Sequence, residues 1–155
     1  YTEWIFLKLY PMNKIFSLLL ILTSMSIFSQ IKTDWLELRD VHYKSQYSEE
    51  YDSYFQVPFF GKNVEYLNNK EITITGYMLT LAPDEGVYVL SQNPYADCFF
   101  CGYGGPETAI ELILKPGHEN FLMDELVTVT GKLQLIYDDI TSGVYRLNDA
   151  TAIKD

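Results

Sequence analysis

Five β-strands in residues 70–155, two of them with a glycine inside a β-branched run, predict an all-β protein (minor α). Its expected architecture is a five-stranded OB-like Greek-key β-barrel with an N-terminal extension. The two glycine-bearing strands share a local pattern, Ile72-Thr73-Ile74-Thr75-Gly76 and Val127-Thr128-Val129-Thr130-Gly131. A glycine weakens a strong strand unless the strand must bend or bulge there, and long bent strands let one sheet curl and close. The composition agrees. At 155 residues, 48% hydrophobic and 21% charged, the chain suits one globular domain with a real core.

The N-terminal residues read as processing signals. Position 1 is Tyr and the first Met is Met12, so residues 1–11 are expected to be upstream sequence without a structural role. Lys14 follows Met12 as a short positive region, residues 15–28 are almost wholly apolar, and Ser29-Gln30 supplies a small residue for cleavage. Residues 12–29 therefore read as a signal peptide, too short for a normal membrane span, with the mature chain starting at Gln30. The expectation is a secreted or periplasmic protein with no stable membrane insertion after cleavage.

Residues 30–69 form the expected extension packing on the barrel. Partial alternation over residues 34–43 favours a strand, with a short helix as the alternative. Tyr43, Tyr47, Tyr51 and Tyr54 recur at spacings that would line a helix face, although the Ser, Gln, Glu and Asp between them equally suit an irregular polar segment. Val57-Pro58-Phe59-Phe60-Gly61 reads as a breaker, Val64 to Leu67 as a helical turn, and Asn68-Asn69 as a turn. The barrel, residues 70–155, then has strands at 70–81, 87–91, 108–114, 126–137 and 144–153. The turn at Pro83-Asp84-Glu85-Gly86 separates the first two, and an irregular connector at 118–124 precedes the fourth.

The formal net charge of −10, with no cluster of Lys or Arg, excludes a phosphate-backbone partner, so no nucleic acid is expected. The chain contains no G-x-S-x-G, no H-E-x-x-H and no phosphate loop, and it holds two His in all. A carboxylate-dependent carbohydrate enzyme stays open; a binding role is favoured, since binding is what small OB barrels mostly do.

Gly76-Tyr77-Met78-Leu79-Thr80-Leu81, Val89-Leu90-Ser91-Gln92-Asn93-Pro94, Cys98-Phe99-Phe100-Cys101-Gly102, Gly105-Pro106-Glu107 and Tyr145-Arg146-Leu147-Asn148-Asp149-Ala150 resemble a family of secreted bacterial proteins of unknown function. The resemblance spans about residues 35–154, and its C-F-F-C-G…G-P-E loop is its most specific part. It implies an OB-like barrel acting as an accessory binding protein of the bacterial envelope, and it carries over no catalytic residue.

The loop from Asp97 to Glu107 holds both cysteines and three of the nine glycines, and it lies between strands, where scaffolds present functional groups. Outside the cytoplasm Cys98 and Cys101 are expected to form a disulfide. It would close so short a loop that chain entropy yields only about 1.9 kcal/mol. The alternative is a metal site, Zn or Cu, in which two thiolates supply half of a tetrahedral shell. Glu107 is the favoured third ligand because Gly104-Gly105-Pro106 can fold it back, with Asp97, His42, His118 or a partner chain as other sources. A thioredoxin-like helix is absent, and Gly102 stands where haem attachment needs His. The expected partners are an envelope protein or a second copy in a homodimer.

Overall fold

The computed structural model describes residues 30–139 and 142–155; the upstream sequence and signal peptide expected over 1–29 lie outside the described residues. The strands are β1 (Ile31–Lys32), β2 (Val41–Ser48), β3 (Ser53–Phe60), β4 (Glu71–Ala82), β5 (Val87–Ser91), β6 (Ala109–Leu114), β7 (Glu125–Leu135) and β8 (Tyr145–Lys154). Two short helices, α1 (Trp35–Leu38) and α2 (Lys62–Leu67), precede the barrel.

Five strands close in the order β4-β5-β6-β8-β7 and back to β4, with β6–β8 parallel and the other four pairings antiparallel. This is the OB-type Greek key the sequence predicts. β1 adds a short parallel strand to β4. Closure depends on β4 pairing on two sides. Glu71 to Met78 pair with β7, and Tyr77 to Ala82 pair with β5. Its inward residues Ile72, Ile74 and Met78 meet Val127 and Val129 of β7, Leu90 of β5, Ile110 and Leu112 of β6, and Leu147 of β8 in one core cluster.

Gly76 sits where β4 passes from one partner to the other. Its backbone is not left-handed; what requires glycine is close approach, because a Cβ there would stand 2.6 Å from the Ser91 carbonyl oxygen and 3.0 Å from the Trp35 ring. Gly131 lies at the register shift between Thr130 and Lys132 in the β7–β8 pair, and its Cβ would press on the β8 backbone at Asn148 and Ala150.

The residues before β4 add side chains to the barrel core. Leu38 from α1 and Val64 and Leu67 from α2 are buried in the core, and the fully buried Tyr145 donates its hydroxyl to the Leu38 carbonyl at 2.6 Å. Asp34 caps α1 by accepting from the Glu37 N–H at 3.0 Å, so a helix replaces the strand expected at the start of 34–43. Asp40 accepts from the Asn63 N–H at the start of α2, and Gly61 leaves room for that carboxylate.

The tyrosine stripe is neither helix nor irregular segment. β2 and β3 form an antiparallel hairpin in unbroken register from Val41↔Phe60 to Ser48↔Ser53, which places Tyr47 opposite Tyr54 with ring centroids 5.2 Å apart. Cross-strand aromatic pairing outweighed the helical spacing. Val57 to Phe60, read from sequence as a breaker, belong to β3. Pro58 is tolerated because a two-stranded ribbon has only edge strands.

Gly76→Ala is expected to lower stability by about 1–3 kcal/mol in urea unfolding, the usual cost of forcing an atom into a filled space. An unchanged unfolding midpoint would contradict the close approach of β4 to Ser91.

Candidate functional site

A groove of about 600 Å³ runs between the β2–β3 hairpin and the outer face of the barrel. The hairpin contributes Tyr43, Phe55, Val57 and Pro58. β5 and β6 contribute Val87 and Ile113, both exposed outward-facing positions of barrel strands. Ile136 and Tyr137 close one side beyond β7, and Phe99, Phe100 and Pro106 of the cysteine loop close the other. The volume lies in the range of small-molecule sites, and the mostly apolar walls with few polar groups match their composition.

Glu111 on the groove wall and Glu107 beside it are tied to partners. Glu111 accepts from Arg146 Nε at 2.9 Å and Nη2 at 2.7 Å through one oxygen, and from the Gly143 N–H through the other. This charge-assisted cluster fixes the entry to β8 against β6. Glu107 accepts from the Tyr43 hydroxyl at 3.0 Å, joining the hairpin to the cysteine loop across 64 residues of chain. Gly105 makes room for that carboxylate, since a Cβ there would collide with it.

Burial, and then the nearby Glu107 charge, push the Tyr43 hydroxyl well above its ordinary pKa. The Tyr145 hydroxyl is raised in the same way by burial and by the charges of Glu107 and Asp40.

The cysteine loop is built from three short 3-10 turns, Tyr95–Asp97, Phe99–Cys101 and Pro106–Thr108. Cys98 is 1% exposed and packs in a satellite cluster with Leu79, Val89 and Ala109, against which Phe99 rests. Its carbonyl accepts from the N–H groups of Cys101 and Tyr103, and Gly102 ends the turn at φ +87°, a left-handed position that suits glycine. Cys101 is exposed and its thiol donates to the Tyr95 carbonyl at 3.1 Å. Local desolvation, the Cys98 thiol and the Asp97 charge push the Cys101 thiol up. Both cysteines are free and lie 4.2 Å apart.

The structure thus brings Cys98 and Cys101 together and turns Glu107 toward Tyr43. Asp97 is exposed on the loop, His42 lies on β2 opposite Phe59, and His118 packs between the rings of Tyr88 and Phe121. Among the described residues, no three of His, Cys, Asp and Glu gather as a metal shell. Sequence reasoning missed the groove because it missed the hairpin. The available signal was the period-two pattern of Tyr43-x-Ser45-x-Tyr47 and Tyr54-x-Gln56-x-Pro58-x-Phe60 around the Glu49-Glu50-Tyr51-Asp52 turn.

Fold and site together define a closed OB-type barrel with a side groove. No family model matches the chain, and no curated protein matches it. Among solved structures it is similar to a DUF3299-family protein from Pseudomonas aeruginosa PAO1, with a TM-score of 0.50 and 12% sequence identity, covering 82% of this chain and 98% of that one. At that identity the likeness shows a shared fold, with a neighbour from an uncharacterised bacterial family. No helix among the described residues is long and apolar enough to cross a membrane.

In an alkaline titration followed by tyrosinate absorbance, Tyr43 and Tyr145 are expected to ionise only as the protein unfolds. Their folded pKa values lie above the unfolded value of about 10, so their contribution is complete below pH 10 and is lost as pH rises beyond it. Tyr43→Phe should reduce that alkaline loss, and an identical pH profile would contradict the raised pKa.

Proposed function

We propose that this protein is an exported accessory binding module of the bacterial envelope, holding a small, largely apolar ligand in the groove between hairpin and barrel. The observation that carries the reading is the groove itself: about 600 Å³, walled by aromatic and aliphatic side chains from three separate parts of the chain. Glu111 is committed to Arg146 and Gly143, and Glu107 to Tyr43, so neither carboxylate is free to serve as an acid or base. Export is supported by the charged, then apolar, then small-residue order of residues 12–29.

A neutral naphthylamine dye, which fluoresces in apolar surroundings, is expected to bind the wild-type protein. Ile113→Asp places a charge on the groove wall at a position 51% exposed, so binding should weaken by about tenfold or more while the melting temperature stays close to wild type. No dye binding by the folded wild type would overturn the groove reading.

Export has its own check. The intact mass of protein recovered from the periplasm or medium should correspond to a chain starting at Gln30, and a mass retaining residues 12–29 would overturn it.

A further inference from the structure

The groove reading leaves the two cysteines unused, although Phe99 and Phe100 between them line the groove. Both thiols are free, they lie 4.2 Å apart, and one short turn presents them. We infer that Cys98 and Cys101 form a two-coordinate thiolate site for a soft monovalent cation, Cu(I), which enters and leaves at the exposed Cys101.

The number of ligands decides the metal. Structural zinc takes four protein ligands and catalytic zinc three, with bonds to sulfur of about 2.3 Å. Iron–sulfur clusters take four cysteines. Neither requirement is met, since no third His, Cys, Asp or Glu joins the pair among the described residues. The sequence suggested Glu107 as the third ligand, but its carboxylate accepts from Tyr43. Thiolates select soft ions, and Cu(I), with a filled d shell, is satisfied by two of them.

The surroundings fit that ion. Cys98 is enclosed by Leu79, Val89 and Ala109, which offer no side-chain oxygen or nitrogen to compete for it. The turn is set before binding by the hydrogen bonds from Cys101 and Tyr103 to the Cys98 carbonyl and by the left-handed Gly102. A preset turn reduces the ordering cost of capturing the ion. The Cys101 thiol, in contrast, is open to solvent and donates to the Tyr95 carbonyl. One buried and one exposed sulfur suit exchange with another thiol or thioether carrier better than permanent storage.

The step is a ligand exchange without electron transfer. Two S–H bonds break and their protons pass to the carrier's released ligands or to water, the carrier's bonds to copper break as two copper–sulfur bonds to Cys98 and Cys101 form, and copper remains Cu(I). The test is an anaerobic titration of the reduced full chain with Cu(I) against a chromophoric Cu(I) chelator, alongside Zn(II) against a zinc chelator. One Cu(I) per chain is expected, held at least about a hundredfold more tightly than Zn(II), with X-ray absorption showing two sulfur neighbours. Cys101→Ser, at an exposed position, should abolish tight binding without unfolding the protein. Glu107→Gln should leave it unchanged.

Cu(I) binding that survives in Cys101→Ser, a tenfold loss in Glu107→Gln, or Zn(II) held as tightly as Cu(I) would each overturn the inference. Naphthylamine binding to Cys101→Ser, measured in parallel, separates this outcome from that of the groove reading, because Phe99 and Phe100 remain in place.

Discussion

The barrel depends on the pairing of β4 with β7, where the two repeated segments meet. Their antiparallel register runs Ile72↔Gly131, Thr73↔Thr130, Ile74↔Val129, Thr75↔Thr128 and Gly76↔Val127, so each repeat is the other's partner. Ile72, Ile74, Val127 and Val129 point into the core, and each contributes about 1.5–3 kcal/mol by leaving water. Outside, the threonine hydroxyls join in pairs at 2.8 and 2.7 Å. The glycines stand at opposite ends of this ladder, where the strands must leave it: Gly76 as β4 turns to β5, and Gly131 at the bulge against β8. Without this pairing the same strands would form an open sheet with two edges.

Closure has a consequence for the outer surface. In a five-stranded barrel one side of every strand faces outward, and the β5–β6 region presents Val87 and Ile113 there. The hairpin covers that region without sealing it. A two-stranded ribbon is marginal alone, and this one is anchored near its base. Phe60 packs on Tyr137 and Tyr145 at 5.1 and 5.7 Å, and Tyr43 reaches Glu107. The rest of the ribbon spans the gap, and the groove is the space that remains beneath it.

What the sequence makes legible follows from how each element is stabilised. The five barrel strands bury one or both faces and read as β-branched, period-two runs; the expected 87–91 coincides with β5, and the other limits differ by at most two residues. The hairpin buries little, so its polar residues carry no core signal, and the tyrosine spacing of four, four and three imitates a helix. Its identity lies in the opposing partners, Tyr47 with Tyr54 and Tyr43 with Pro58, which only pairing reveals. Helix α1 was ambiguous because four residues are too few to show a period, although Asp34 three places before Glu37 is a cap signal. The cysteine loop was found by composition, but the direction of Glu107 was not. That direction depends on Tyr43, which is remote in sequence.

The Cys98–Glu107 loop is where these constraints converge. Its first half is held from inside, by Cys98 in its apolar cluster and by the turn closing on the Cys98 carbonyl. Its second half is held from outside, by Glu107 on the hairpin and by Thr108, whose hydroxyl donates to the Gly105 carbonyl at 2.8 Å. Between the two anchors, Phe100, Cys101 and Tyr103 are left exposed. The scaffold thus fixes both ends of the loop and leaves two aromatic rings and a thiol in solvent. Phe100 lines the groove, and Cys101 stands beside its buried partner Cys98, so one short turn divides its side chains between the groove wall and the interior.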